Sequence, residues 1–233
     1  RGMSLSISPG LVAMNMLAAD LEKGLELLQE IISHPRFDEN EIEKVRTQIL
    51  AEIKNFWDTP TSFSRQLVNE QIYKGHPYSK NILGTKDSVE KITKKDLIEF
   101  HKKYFSPDGA VLSLVGDFNE PELKKALSKT LATWKGGKVE EIAFPKLAAI
   151  KPCQYIHRIN RDQVVLTFAG LSVPRTHPDY DKLLLFDQIF GGGVLGSLHC
   201  KLYQLREQSG LFYNIAGSLV AACSEEPGMV MVR

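Results

Sequence analysis

The sequence predicts an α+β fold in which helices form one layer over small sheets. Three observations lead there. Apolar residues recur at helical spacing through residues 21–32 and 42–56, while short runs rich in Val, Leu and Met at 11–16, 110–116, 163–168 and 229–232 have strand character. The composition, 43% hydrophobic and 24% charged with a formal net charge of +1 over 233 residues, excludes disordered and fibrous chains.

In chain order, Leu11 to Met16 reads as a strand. Asp20 then stands where it can cap a helix carrying Leu21, Leu25, Leu28 and Ile32 on one face, and Pro35 ends that helix after His34. Asp38, with Glu41 three residues on, caps a second helix whose apolar face is Ile42, Val45, Ile49, Ile53 and Phe56, running to about Trp57. Pro60 opens a third through Leu67 and Ile72, and residues 74–79 form a loop. Thr93 and Asp96 mark the start of a helix that Pro107 terminates. Residues 110–116 are expected as a buried strand and 120–134 as a helix.

Composition changes at Lys135-Gly136-Gly137-Lys138, and few periodic apolar positions follow before Pro152. Residues 136–152 therefore read as a linker between two lobes, 1–135 and 153–233. The second lobe is expected to hold a strand at 163–168, a helix at 178–190, a glycine turn, a helix at 195–207 and a strand at 211–219. The first residue is Arg rather than Met, and the last residues, Met229 to Arg233, have strand character, so the chain reads as a piece of a longer one.

Several function classes are excluded at this level. A balanced charge gives no footprint for nucleic acid or an anionic membrane, and apolar runs such as Leu183 to Phe186 fall far short of the ~20 residues that span a bilayer. A soluble chain is expected, its compartment left open with the cytoplasm as the default. Cys153, Cys200 and Cys223 are an odd, scattered set that makes neither a disulfide framework nor a cysteine zinc site. No P-loop, G-x-S-x-G, H-E-x-x-H or H-x-x-E-H is present, and no two of the six histidines stand at i, i+4. Gly191-Gly192-Gly193 lacks the preceding strand and following Lys of a phosphate cradle and reads as an interhelix turn. Glu52 lies at the margin of an apolar helical stripe beside Val45, Ile49 and Phe56, which suits either pairing with a base or metal ligation with histidines from elsewhere. Arg206 and Tyr213 flank a helix end at Gly210, where an Arg also complements the helix dipole.

The ordered set of short segments resembles the insulinase or pitrilysin-like zinc metallopeptidases, which include the mitochondrial processing peptidase. The matching stretches are His34-Pro35-Arg36-Phe37-Asp38-Glu39, Ile49-Leu50-Ala51-Glu52-Ile53-Lys54, Asp58-Thr59-Pro60, Gly75-His76-Pro77-Tyr78-Ser79, Gly84-Thr85, Tyr104-Phe105-Ser106-Pro107 and Val115-Gly116-Asp117-Phe118. They continue with Gly191-Gly192-Gly193 and then Leu205 to Tyr213.

The resemblance implies two-layer sheet-plus-helix lobes of the processing-peptidase type, of which the chain holds the later part of the first and the early part of the second. It implies a zinc-dependent endopeptidase acting on peptides or unfolded polypeptide laid along a sheet edge. By position Glu52 matches the metal-ligating glutamate downstream of H-x-x-E-H, and Arg206 and Tyr213 match a pair that holds the substrate carbonyl. The Gly191–Gly193 turn matches a glycine-rich loop near the cleft. Two departures weigh against this. H-x-x-E-H is absent, so the chain by itself is not expected to hydrolyse peptides, and the supporting carboxylate seven residues before the ligand falls on Val45. The remaining zinc ligands would come from outside the chain, along with the rest of both lobes or a homologous partner subunit. The alternative is a non-catalytic peptide-binding or assembly subunit, and the third is a structural domain with no ligand.

Overall fold

The computed structural model describes residues 2–8, 10–140, 143–160, 162–193 and 198–233. Among the described residues helices predominate, beside two small antiparallel sheets, the expected α+β class. The chain divides into two compact units, the first made of Arg1–Gln48 with Asp87–Ile142, the second of Ile49–Lys86 with Ala143–Arg233. Compactness thus groups residues 49–86 with the chain after 143, although in sequence they precede the connection at 136–152. That connection carries no helix or strand among its described residues.

In the first unit, β1 (Ser4–Ser8) and β2 (Leu11–Asn15) form an antiparallel hairpin. Helix α1 (Leu21–Ser33) ends where Pro35 was expected to stop it, and buries Leu25 and Ile32 on the face that packs on α6 (Glu120–Leu131), whose Leu123 is also buried. Each such side chain contributes roughly 1.5–3 kcal/mol. The Gln29 amide adds a hydrogen bond to Thr133 Oγ1 at 2.6 Å. Helix α2 (Glu39–Asp58) is capped by Asp38, whose Oδ1 accepts from the Asn40 and Glu41 amides at 2.9 and 3.2 Å, while the Glu41 carboxylate accepts from Lys44 Nζ at 2.6 Å rather than completing a reciprocal box. Arg46 donates to the carbonyls of Val89 and Ile92, so its guanidinium satisfies acceptors around the end of the short helix α4 (Lys86–Lys91). Helix α5 (Lys94–Tyr104) starts with the reciprocal Thr93/Asp96 capping box.

In the second unit, α3 (Pro60–Ile72) and α7 (Tyr180–Phe190) accompany a three-stranded sheet in the order β3 (Phe168–Leu171), β5 (Met229–Val232), β4 (Gly217–Ala221). Both pairings are antiparallel, with Phe168 and Gly217 each opposite Val232, and a bulge interrupts β4 between Ser218 and Ala221. Ile72, Tyr73 and Met229 are the buried centre, with Val68, Tyr78, Leu147, Leu171 and Ala221 around them. Tyr73 donates its hydroxyl to the Pro227 carbonyl at 3.0 Å. Helix α7 is pinned to β4 by Asp187, whose buried carboxylate accepts from Ser218 Oγ at 2.9 Å and the Leu219 amide at 2.7 Å.

Four sequence expectations are corrected. Residues 110–116 form no strand, and Val111 and Val115 are 92% and 98% exposed, because no strand among the described residues hydrogen-bonds to them. The strand expected at 163–168 forms instead at Phe168–Leu171, where β5 supplies a ladder, and residues 163–167 stay unpaired. The strand expected at 211–219 shifts to Gly217–Ala221 for the same reason. The helix expected at 195–207 is observed as α8 (Lys201–Ser209), with Cys200 as its N-cap; residues 194–197, where it was to begin, lie outside the described residues. Among the described residues no helix is long and apolar enough to cross a membrane.

Two stability outcomes follow. Asp187→Ala strands the Leu219 amide and should cost about 1–3 kcal/mol in urea unfolding, with Ser218→Ala costing less. Burial, aided by Cys223 and Tyr78 nearby, raises the Tyr73 phenol from 10.0 to about 12. A raised pKa means that the folded state keeps a proton which the unfolded chain releases, so this contribution is intact below pH 10 and is lost as pH rises from 10 to about 12. Unfolding free energy should therefore fall more steeply with pH in that window in the wild type than in Tyr73→Phe.

Candidate functional site

Helix α8 sets the geometry of the Arg206 and Tyr213 pair. Cys200 Sγ accepts from the Tyr203 amide at 3.4 Å and starts the helix, and Gly210 ends it in the left-handed conformation at φ 61°, its amide bonded to the Arg206 carbonyl at 3.0 Å. The turn brings the following segment, 211–213, back alongside the helix. Arg206 Nε donates to the Tyr213 carbonyl at 2.7 Å, and Nη1 meets Glu207 Oε1 at 3.0 Å. The guanidinium carbon lies 5.4 Å from the Tyr203 ring centre and 5.9 Å from that of Tyr213. Two aromatic rings, a backbone carbonyl and a carboxylate thus fix the cation's orientation. Nη2 and the Tyr213 hydroxyl make no hydrogen bond among the described residues, and Tyr213 is 92% exposed. An oriented cation and a phenol O–H offer hydrogen-bond donors to a carbonyl oxygen and favour negative charge developing on it.

Glu52 is exposed on α2 and makes no hydrogen bond or ion pair with Arg206 or Tyr213 among the described residues. Val45, two turns earlier on the same helix, is half exposed and offers no acceptor. No group of three or more His, Cys, Asp or Glu side chains that could hold a metal ion occurs among the described residues. A zinc site does not fit these residues alone, since structural and catalytic zinc need three or four protein donors and Glu52 is one carboxylate.

Tyr203 belongs to no motif, and Glu207, although inside the matching Leu205–Tyr213 stretch, carries no role that the sequence assigns. The signal was present in the spacing, because a residue three before Arg206 on a helix shares its face. The Gly191–Gly193 turn has a packing reason. A Cβ on Gly191 would stand 1.9 Å from the Gly217 carbonyl oxygen, so helix α7 can close on β4 only with glycine there.

His76 is buried among the rings of Tyr73, Tyr78 and Phe144. Its Nδ1 accepts from the Tyr78 amide at 3.2 Å, and its Nε2 lies 4.0 Å from Glu226 Oε2. A cleft of about 1170 Å³ separates α3 from residues 150–159 and 163–169, walled by Phe63, Leu67 and Val68 on one side and Ile150, Ile156 and Val165 on the other.

Family models define the class to which this fold and site belong. The model described as Peptidase M16 inactive domain matches residues 91–231, and that described as Insulinase (Peptidase family M16) matches residues 11–86. The chain belongs to the M16, or insulinase, peptidase family. It is 27% identical over 198 residues to YmxG of Bacillus subtilis, called an uncharacterized zinc protease, covering 82% of this chain and 45% of that protein. A Helicobacter pylori protein called non-peptidase homolog YmxG is 24% identical over 204 residues, covering 88% and 46%. The chain thus spans about half the length of the curated relatives it matches. The crystal structure of a peptidase M16 inactive domain from Pseudomonas fluorescens shares the fold with a TM-score of 0.85 at 24% identity, over 99% of this chain and 56% of that one.

Gly210→Ala places a Cβ in a left-handed turn and should cost about 1 kcal/mol in thermal or urea unfolding. Because that turn returns Tyr213 to Arg206, the same substitution should loosen the pair, seen as faster exchange of the Arg206 Nε proton by NMR.

Proposed function

We propose that this chain is part of a zinc-dependent M16 endopeptidase that cleaves peptides or unfolded polypeptide segments, and that its own share is to hold the substrate main chain. The supporting observation is the Arg206 arrangement: a guanidinium fixed by the Tyr213 carbonyl and two rings, beside an exposed phenol. Arg206 and Tyr213 orient a substrate carbonyl and disperse charge on its oxygen. Glu52 serves as one zinc donor in a set completed by residues beyond this chain. The lobes divide at 136–152, and the remainder of both, or a homologous partner subunit, completes the peptide chamber.

A second reading is a non-catalytic, peptide-binding lobe or subunit that completes the chamber of an active partner. Val45 favours it, since a valine at that position gives a metal ligand no supporting hydrogen bond. The relatives' names point both ways, one a zinc protease and one a non-peptidase homolog.

Zinc content and hydrolysis of a fluorogenic peptide, measured on the intact protein, separate the two. The first reading expects stoichiometric zinc and cleavage in the wild type, loss of both in Glu52→Gln, and retained zinc with kcat/KM lowered about 10²-fold or more in Arg206→Ala. A wild type that holds no zinc and cleaves nothing, yet binds peptide in a way that Arg206→Ala weakens, establishes the second.

A further inference from the structure

We infer that Glu207 is a specificity-determining residue that makes the Arg206 site select neutral carbonyl oxygens over carboxylates in a bound peptide. The inference rests on the reading that Arg206 and Tyr213 hold the substrate main chain.

Glu207 Oε1 lies 3.0 Å from Arg206 Nη1, so the cation carries its own counter-ion. Nε is committed to the Tyr213 carbonyl, and the rings of Tyr203 and Tyr213 lie against the guanidinium. What remains for a ligand is Nη2 and the second hydrogen of Nη1. A neutral carbonyl needs one such donor and leaves Glu207 in place. A carboxylate gains most from a bidentate approach, which requires Nη1, where it meets Glu207 as a like charge. Without its counter-ion, the same guanidinium would attract acidic side chains and free C-termini, each of which would hold a peptide out of register with its scissile bond.

This is an electrostatic filter built on one helix. Glu207 acts through Arg206, and its effect is read in the preference between anionic and neutral ligands rather than in overall affinity. Its side chain is 56% exposed, so substitution by Gln leaves the packing unchanged.

The test is peptide binding to the intact protein by fluorescence anisotropy. The probes are labelled peptides of one unfolded sequence, made in pairs that carry Gln or Glu at each successive position. The wild type should bind no Glu form more tightly than its Gln partner. Glu207→Gln should bind the Glu form about twofold to fivefold more tightly at one or two adjacent positions, the scale of an exposed ion pair. That gain should vanish near 1 M salt, where the screening length is about 3 Å. An unchanged Glu-to-Gln preference at every position in Glu207→Gln, with all peptides weakened by Arg206→Ala, overturns the inference and leaves the main-chain reading standing. Wild type that already prefers a Glu form also overturns it. If Arg206→Ala weakens no peptide, the main-chain reading falls and takes the inference with it.

Discussion

The hydrogen-bond ladders on either side of Met229–Val232 are the constraint on which the second unit depends. This strand binds β3 on one side and β4 on the other, and Met229 is among its most deeply buried side chains. The ladder runs past β5, with Arg233 and Ala216 exchanging both of their backbone hydrogen bonds. Once β4 is paired, Gly217 and Leu219 are fixed, and α7 docks on them through Gly191 and Asp187. Tyr73, at the end of α3, closes the other side through Pro227 just before β5. Distant segments therefore meet through one short strand, and its loss would release all of them together.

Helices were more legible in the sequence than strands, for a physical reason. A helix satisfies its backbone locally, so caps and breakers such as Asp38, Thr93 with Asp96, Pro35 and Pro60 decide its ends, and all four act as expected. A strand needs a partner that the local sequence does not name. Residues 110–116 and 163–167 have strand composition and remain unpaired, while Phe168–Leu171 pairs because Met229–Val232 reaches it. The same dependence moved β4 onward to Gly217–Ala221.

The geometry of the candidate site was legible to the extent that it is local. Arg206, Gly210 and Tyr213 lie within eight residues, and the helix, its left-handed stop and the returning chain bring them together. Tyr203 and Glu207 belong to the same few residues, but their part depends on which way the guanidinium turns, and spacing does not fix that. Glu52 is the opposite case. Metal ligation at Glu52 would need partners far off in sequence, and the described residues include no cluster of three or more such donors.

The three thiols are unequal in a way that matters for anyone wishing to watch this molecule. Cys153 is exposed, Cys200 is buried as the first residue of the α8 cap, and Cys223 is half-buried in the loop between β4 and β5. A thiol-directed reagent at limiting dose therefore meets Cys153 first. That residue lies on the wall of the cleft beside α3, so a spin label or fluorophore attached there would report from the cleft wall without cysteine replacement elsewhere.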